Sequence, residues 1–341
     1  MDKEKELGNI EIVKMFLMIS VVLYHSMAFW KGNWFTVITP EPSKLLSNFA
    51  TWLNTFHIYG FSLASGYLFQ VLKCENEHYN TFSGFFKKKA QRLLVPLVFV
   101  SIVWAAPIYT YFFRPNTSVI LKKFVFMESP SQLWFLGMLF VVFMLYWPIS
   151  NLTDSNIFVG GGITIIYLLL GKVGYNLFPD VFQIWTGMRF VLYFYIGACL
   201  RKDNKKIACK IPSFVYLGLH ILLFITWRNL NGRGGVIFKL ISLSISELMY
   251  VLGAIGAFVI FERLADLIKK PNRIVRFGCK HSMSIYLFHQ QIIYVVLFLL
   301  NEKFHPFLLV LICFFVSIAV SSVISFIMDH FRVTRFLISG R

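Results

Sequence analysis

The sequence predicts an all-α integral membrane protein of about ten transmembrane helices with both termini in the cytoplasm, and three observations lead there. The chain is 57% hydrophobic and 18% aromatic but only 14% charged, where a soluble domain carries roughly 25% charged residues. Apolar runs recur almost end to end, approximately at 12–30, 50–72, 92–113, 133–150, 157–178, 187–200, 211–228, 239–262, 282–301 and 306–328, most of them near the length that spans a bilayer. The net charge of +17 is distributed by loop. With the N terminus inside, one set of connections holds Lys73, Lys87, Lys88, Lys89 and Arg92, then Arg201, Lys202, Lys205, Lys206 and Lys210, then Arg263, Lys269, Lys270, Arg273, Arg276 and Lys280. That alternation is the positive-inside pattern. It explains the basicity by topology and attraction to anionic membrane lipid, with no need for nucleic acid as partner. No soluble segment of useful size remains, so residues 1–341 read as a single polytopic domain with no fused soluble domain.

The first span carries the most informative pair. His25 follows Lys14 by eleven residues, which is three helical turns plus about 20° and a rise of roughly 16 Å, so both share one face of one helix. Lys14 marks the membrane edge and His25 lies deep, where an ionisable group needs a partner or a wet cavity. The span is no cleaved signal peptide, because acids and bases mix ahead of it and no small-residue cleavage site follows. The loop 31–47 with Pro40 and Pro42, and the loop 114–132 with Pro115 and Pro130, are long enough to cover part of a cavity opening outward.

The second span contains His57, nearer the outer face. Lys89 and Arg92 open the third; three residues apart on a helix, they are placed to clamp one anionic group, although basic residues at a cytoplasmic helix end are ordinary. Gly160 to Gly162 start the fifth span and suit close packing or a helix break. His220 in the seventh has no polar companion at helical spacing and reads as structural. Glu247 in the eighth either orients an imidazole, accepts a substrate hydroxyl proton, or pairs with Arg189 or a lysine to hold the fold. In the ninth, Ser282, Tyr286 and His289 form a polar stripe. His289 falls about 12 Å beyond the cytoplasmic edge, a depth similar to that of His25. Cys74, Cys199, Cys209 and Cys279 fall on the cytoplasmic side and Cys313 within the last span, so no extracytoplasmic disulfide is expected, and no paired spacing suggests a metal.

Taken together these segments resemble the membrane-bound acyltransferase-3 family, whose members O-acylate bacterial cell-surface carbohydrates. Lys14 and His25 match its first-helix signature of a basic residue, ten residues and His. Phe61-Ser62-Leu63-Ala64-Ser65-Gly66-Tyr67-Leu68 is similar to the end of its second helix, and Lys89-Ala90-Gln91-Arg92 to its basic pair. Trp134-Phe135-Leu136 and Ser284-Ile285-Tyr286-Leu287-Phe288-His289 complete the set. Lys stands where many members have Arg at 14 and 89, and a lysine lacks the bidentate fork, so a phosphate clamp here is expected to be looser.

The resemblance implies a multi-pass protein of the bacterial cytoplasmic (inner) membrane. It implies acyl-CoA as donor, most often acetyl-CoA and alternatively a succinyl or longer acyl thioester, and a hydroxyl of a carbohydrate or lipid-linked glycan as acceptor. No metal is implied. Lys14, Lys89 and Arg92 would meet the donor's phosphates. His25 and His289 would carry the chemistry, with His25 as general base or as an acylated nucleophile. Ser65, Trp134, Glu247 and Tyr286 would bind or orient substrate. A second class fits the same residues: a transporter or flippase of a lipid-linked glycan, in which His25, Glu247 and His289 relay protons or bind substrate without acyl-CoA. The lack of two matching halves counts against an inverted-repeat transporter.

Overall fold

The computed structural model describes residues 3–32, 34–39, 41–73, 81–203, 208–268 and 271–340; Pro40, Cys74, Lys205, Lys206, Lys269 and Lys270 lie outside the described residues. Among the described residues the structure is helical, without strands, as lipid requires of a chain whose backbone must satisfy its own hydrogen bonds. The first helix, α1, is Lys3–Ala28. Next come α2 Lys44–Asn54 and α3 His57–Lys73, then α4 Phe82–Phe113. The middle of the chain forms α5 Trp134–Ser155, α6 Ile157–Leu177, α7 Ile184–Lys202 and α8 Ser213–Leu230. The last passes are α9 Val236–Leu267, α10 Arg273–Leu300 and α11 Pro306–Asp329, followed by the short α12 Arg332–Ser339.

Contacts between helix ends fix the alternation of direction. Glu6 near the start of α1 lies 2.8 Å from Arg201 at the end of α7, and Lys73 at the end of α3 lies 2.7 Å from Asp154 near the end of α5. These ends therefore share the side on which the chain starts, the N-terminal side. On the far side Arg228 of α8 donates to Asn48 of α2 at 2.9 Å, and Asn301 after α10 donates to the Ile38 carbonyl at 3.0 Å.

Among the described residues, eight helices are long and apolar enough to cross a membrane. The remaining two of the ten expected passes are α3, with 17 residues, and α7, with 19 including Arg189, Arg201 and Lys202. α3 is short because the span breaks ahead of it and α7 is the more polar, and the two pack on each other inside the bundle, where less apolar surface is needed. The outer helices do present one, with Ile165, Leu169 and Val173 of α6 and Leu311, Phe315 and Phe326 of α11 exposed. The α3–α7 contact is made by two glycines. A Cβ on Gly66 would sit 1.8 Å from the Phe194 carbonyl oxygen, and one on Gly197 would sit 1.9 Å from that of Leu63. Gly197→Ala is therefore expected to prise the two helices apart, lowering stability by about 1–3 kcal/mol as overpacking does; thermal unfolding in detergent measures it, and an unchanged midpoint would contradict the contact. The glycines that open α6 matter less, since Gly160 packs on Tyr195 but Gly161 and Gly162 face open space.

Three departures from the expected spans shape the interior of the bundle. The second span is not one helix: it breaks at Thr55 and Phe56, between α2 and α3. There the Thr55 hydroxyl donates to the Trp52 carbonyl and the His57 ring takes the Leu53 carbonyl, both at 2.6 Å, so side chains occupy acceptors that continuous helix would use. The third span starts earlier than expected and carries two widened π-turns, Ala90–Leu94 and Ser101–Ala105. Each is followed by a proline, Pro96 or Pro107, whose missing N–H and bulky ring displace the carbonyl of the preceding turn. Finally, α12 folds back so that Gly340, at φ +63°, lies against the backbone of Gln91 and Arg92.

The N-terminal side is tied through the buried carboxylate of Glu6 and the partly exposed Arg201. Glu6, 2% exposed, accepts from the Tyr67 hydroxyl at 2.6 Å as well as meeting Arg201. Removing the carboxylate takes the acceptor from the Tyr67 hydroxyl and the counter-charge from Arg201, at a cost of about 1–3 kcal/mol. Glu6→Ala is expected to lose folded protein to that extent, and equal yields by size-exclusion chromatography would contradict it.

Candidate active site

His25 sits one turn before the far-side end of α1, and His289 faces it from the middle of α10. Their ring centroids are 4.9 Å apart, and His25 Nδ1 lies 2.9 Å from His289 Nε2. The neighbouring carbonyls assign the protons. His289 Nδ1 lies 2.8 Å from the Tyr286 carbonyl and 3.1 Å from that of Ile285. Carbonyls only accept, so this nitrogen carries the hydrogen and Nε2 of the neutral ring is bare. His25 Nδ1 lies 3.1 Å from the Val21 carbonyl, so it too carries a hydrogen, which it also offers to His289 Nε2. The bare nitrogen of His25 is then Nε2. No partner for it exists among the described residues, and the His25 ring lines a cavity.

That cavity measures about 590 Å³ and occupies the far side of the bundle. Tyr24 and His25 of α1, His57 and Tyr59 of α3, Tyr109 and Phe113 of α4, and Gln290 and Tyr294 of α10 form its walls. Both long far-side loops contribute as expected, Trp34 from the first and Lys123, Glu128 and Gln132 from the second. A third loop, which no sequence signal marked for inclusion, adds Asp180 and Gln183. It is stitched to the second. Gln183 Nε2 donates to the carbonyls of Met127 and Glu128 at 2.7 and 2.6 Å, and the Phe182 N–H donates to the Phe126 carbonyl at 2.8 Å. Met127, Ser131, Phe182 and Gln183 all hold positive φ, a strained backbone that concentrates at functional rims.

Charge in the cavity is distributed by partner. Asp180 uses its carboxylate on the start of α7, accepting from Trp185 N–H at 2.8 Å and from the Thr186 hydroxyl at 2.5 Å. Arg189 lies 5.2 Å from the Tyr175 ring and Lys123 lies 4.9 Å from that of Tyr109. Burial holds the Lys123 ammonium below the ordinary lysine range.

The residues singled out in the sequence separate into three places. Trp134 and Tyr286 line the cavity with His25, and His289 stands directly behind His25, fully buried. The Tyr286 hydroxyl donates to the Gln132 carbonyl. Gln132 is itself locked to α10, donating to the Leu287 carbonyl at 2.6 Å and to Gln291 at 2.7 Å. Lys14, Lys89 and Arg92 come together on the N-terminal side, close enough to feel one another's charge. The Lys89 ammonium rests 3.9 Å from the Phe143 ring centre, and Arg92 lies within the first π-turn of α4. Ser65 and Glu247 are outside the cavity lining. Ser65 is buried in α3. Glu247 accepts from Lys172 at 2.8 Å and from the Tyr193 hydroxyl at 2.9 Å, so its partner is a lysine of α6 rather than Arg189, and it ties α6, α7 and α9 together. His220 bonds Thr55 at 3.0 Å, a structural contact, as its isolation in the sequence suggested.

Residues 7–326 match the family model described as an acyltransferase domain, of the acyltransferase-3 type. No curated protein and no solved structure matches the chain.

Proposed function

Because the chain belongs to the membrane-bound acyltransferase-3 family, we propose that it transfers an acyl group, acetyl in the first instance, from acyl-CoA to a hydroxyl of a cell-surface or lipid-linked carbohydrate. In this reading the protein lies in a bacterial cytoplasmic membrane with both termini inside, and the far side faces outward. The observation that carries the reading is the His25–His289 pair, which leaves one bare imidazole nitrogen at a cavity wall.

The residues present fit the donor. Lys14, Lys89 and Arg92 gather on the N-terminal side, where cations suit the phosphates of a nucleotide. The first π-turn of α4 carries Arg92 of this cluster, and the second, Ser101–Ala105, lies further along the helix toward the far side. When bound, acyl-CoA supplies an acyl thioester. His25 Nε2 takes the proton of the acceptor hydroxyl as its oxygen forms the new bond to the acyl carbon and the carbon–sulfur bond breaks. The charge that His25 then carries is stabilised through Nδ1–H by the lone pair of His289 Nε2, which is itself held by the Tyr286 and Ile285 carbonyls. His25 finally returns the proton to the departing sulfur, which leaves the ring neutral again.

Arg92→Ala is expected to raise the KM for acetyl-CoA about tenfold to a hundredfold, the loss that follows removal of a charge-assisted hydrogen bond, with the acceptor KM unchanged. An unchanged donor KM would remove Arg92 from the donor site. Acyl transfer itself is tested in proteoliposomes supplied with radiolabelled acetyl-CoA and a lipid-linked glycan fraction. Alkali-labile label on the glycan is the expected result. Movement of unmodified glycan, with no label from acetyl-CoA or succinyl-CoA, would replace acyl transfer by transport.

A further inference from the structure

His57 is the one cavity histidine with no part in the proton transfer, and its geometry is as constrained as that of His25. The break between α2 and α3 turns its ring so that Nδ1 meets the Leu53 carbonyl at 2.6 Å. A carbonyl only accepts, so Nδ1 carries the hydrogen and Nε2 is a bare acceptor. The residue is 0% exposed, it lines the cavity, and its buried Nε2 has no hydrogen-bond partner among the described residues. A buried polar atom without a partner is costly and is retained where something else completes it. Its position relative to His25 is informative: both rings contact the Tyr24 ring, at centroid distances of 4.8 Å for His25 and 5.2 Å for His57. Two bare imidazole nitrogens thus flank a single phenol, that of His25 on a ring lining the cavity and that of His57 closed off just behind the wall. Bare nitrogens accept and cannot donate, so the complementary ligand presents two O–H donors, as a sugar ring with two free hydroxyls does.

We propose that His57 is an acceptor-positioning residue: its Nε2, closed off behind the cavity wall, is uncovered as the carbohydrate enters and takes a hydrogen bond from a second hydroxyl, while His25 faces the hydroxyl that is acylated. The inference rests on the acyl-transfer reading for the identity of the reacting hydroxyl, but the contact itself is a binding contact and needs no donor. The site then favours acceptors with at least two free hydroxyls over singly hydroxylated alcohols, because the latter leave the buried nitrogen unmatched.

The test uses full-length protein in detergent, the lipid-linked glycan fraction of the source cells as ligand, and the variants His57→Leu and His57→Gln. Glycan binding is measured without donor by isothermal titration, and transfer from radiolabelled acetyl-CoA is measured separately. His57→Leu is expected to weaken glycan binding and raise the acceptor KM about tenfold to a hundredfold, the cost of leaving a buried partner unmatched, while the acetyl-CoA KM and kcat stay within about twofold of the intact protein. His57→Gln, which retains an acceptor atom, is expected to recover most of the loss, a rescue that simple cavity packing would not give. Equal glycan affinity in His57→Leu and the intact protein would overturn the proposal alone. So would a fall in kcat with no change in acceptor KM, or a loss in His57→Gln as deep as in His57→Leu. Glycan binding that depends on His57 with no acyl transfer from any acyl-CoA would overturn the function reading and leave this contact standing. Intact protein that neither binds nor acylates the fraction would overturn both.

Discussion

His25→Ala is expected to lower acyl transfer by about 10²–10⁴-fold, the range that a positioned general base contributes, while acetyl-CoA still binds. The reason is geometric. Alanine removes the bare nitrogen from the cavity wall, and the neighbouring imidazole cannot replace it: His289 is fully buried, its Nδ1 is committed to two carbonyls and it does not line the cavity. Donor binding is expected to survive because Lys14, Lys89 and Arg92, the proposed phosphate ligands, lie on the other side of the bundle. The measurement is a transfer rate beside an acetyl-CoA binding isotherm for the same purified variant. A His25→Ala protein that binds donor and transfers at the intact rate would exclude His25 both as base and as acylated nucleophile.

The second large effect is expected at His289. This ring contributes an acceptor for His25 Nδ1–H at 2.9 Å, and its worth grows as His25 becomes charged in the transition state. His289→Leu is therefore expected to lower kcat about tenfold to a hundredfold, as loss of a hydrogen bond to a charged group does, with both KM values little changed. That pattern is the opposite of the one expected for His57→Leu, where the acceptor KM moves and kcat does not. His289→Gln can offer a carbonyl oxygen to the same hydrogen and is expected to recover part of the rate. A His289→Leu variant with full kcat would show that the imidazole behind His25 is only packing.

Much of this was legible in the chain and the rest was not, for reasons that can be located. Helical rise alone brought His25 and His289 to similar depth, because both are counted from a charged edge along a regular helix. The far-side loops announced themselves by length and proline. Partners across helices were another matter. Glu247 of α9 pairs with Lys172 of α6 across the bundle, and nothing in the local sequence encodes that approach. Ser65 shares α3 with His57 but lies eight residues on, roughly 12 Å further along and about 80° round the helix, outside the cavity lining, and α3 itself begins only at the break at Thr55 and Phe56. That break depends on two side chains capturing carbonyls, a local choice invisible to an apolar-run count. The roles of Gln132, Gln183 and Asp180 arise from loop-to-loop and loop-to-helix bonds, which only the closed bundle creates.

The proposed mechanism turns on a single atom: a bare His25 Nε2 on a ring that lines the cavity. Solid-state nitrogen NMR of protein labelled in its histidines measures it directly, with the His25 signals assigned by their absence in His25→Ala. A neutral ring protonated at Nδ1, with an unprotonated Nε2 that responds when the glycan acceptor is added, is the predicted result. A His25 ring protonated at Nε2, leaving no lone pair toward the acceptor, would contradict its role as the base.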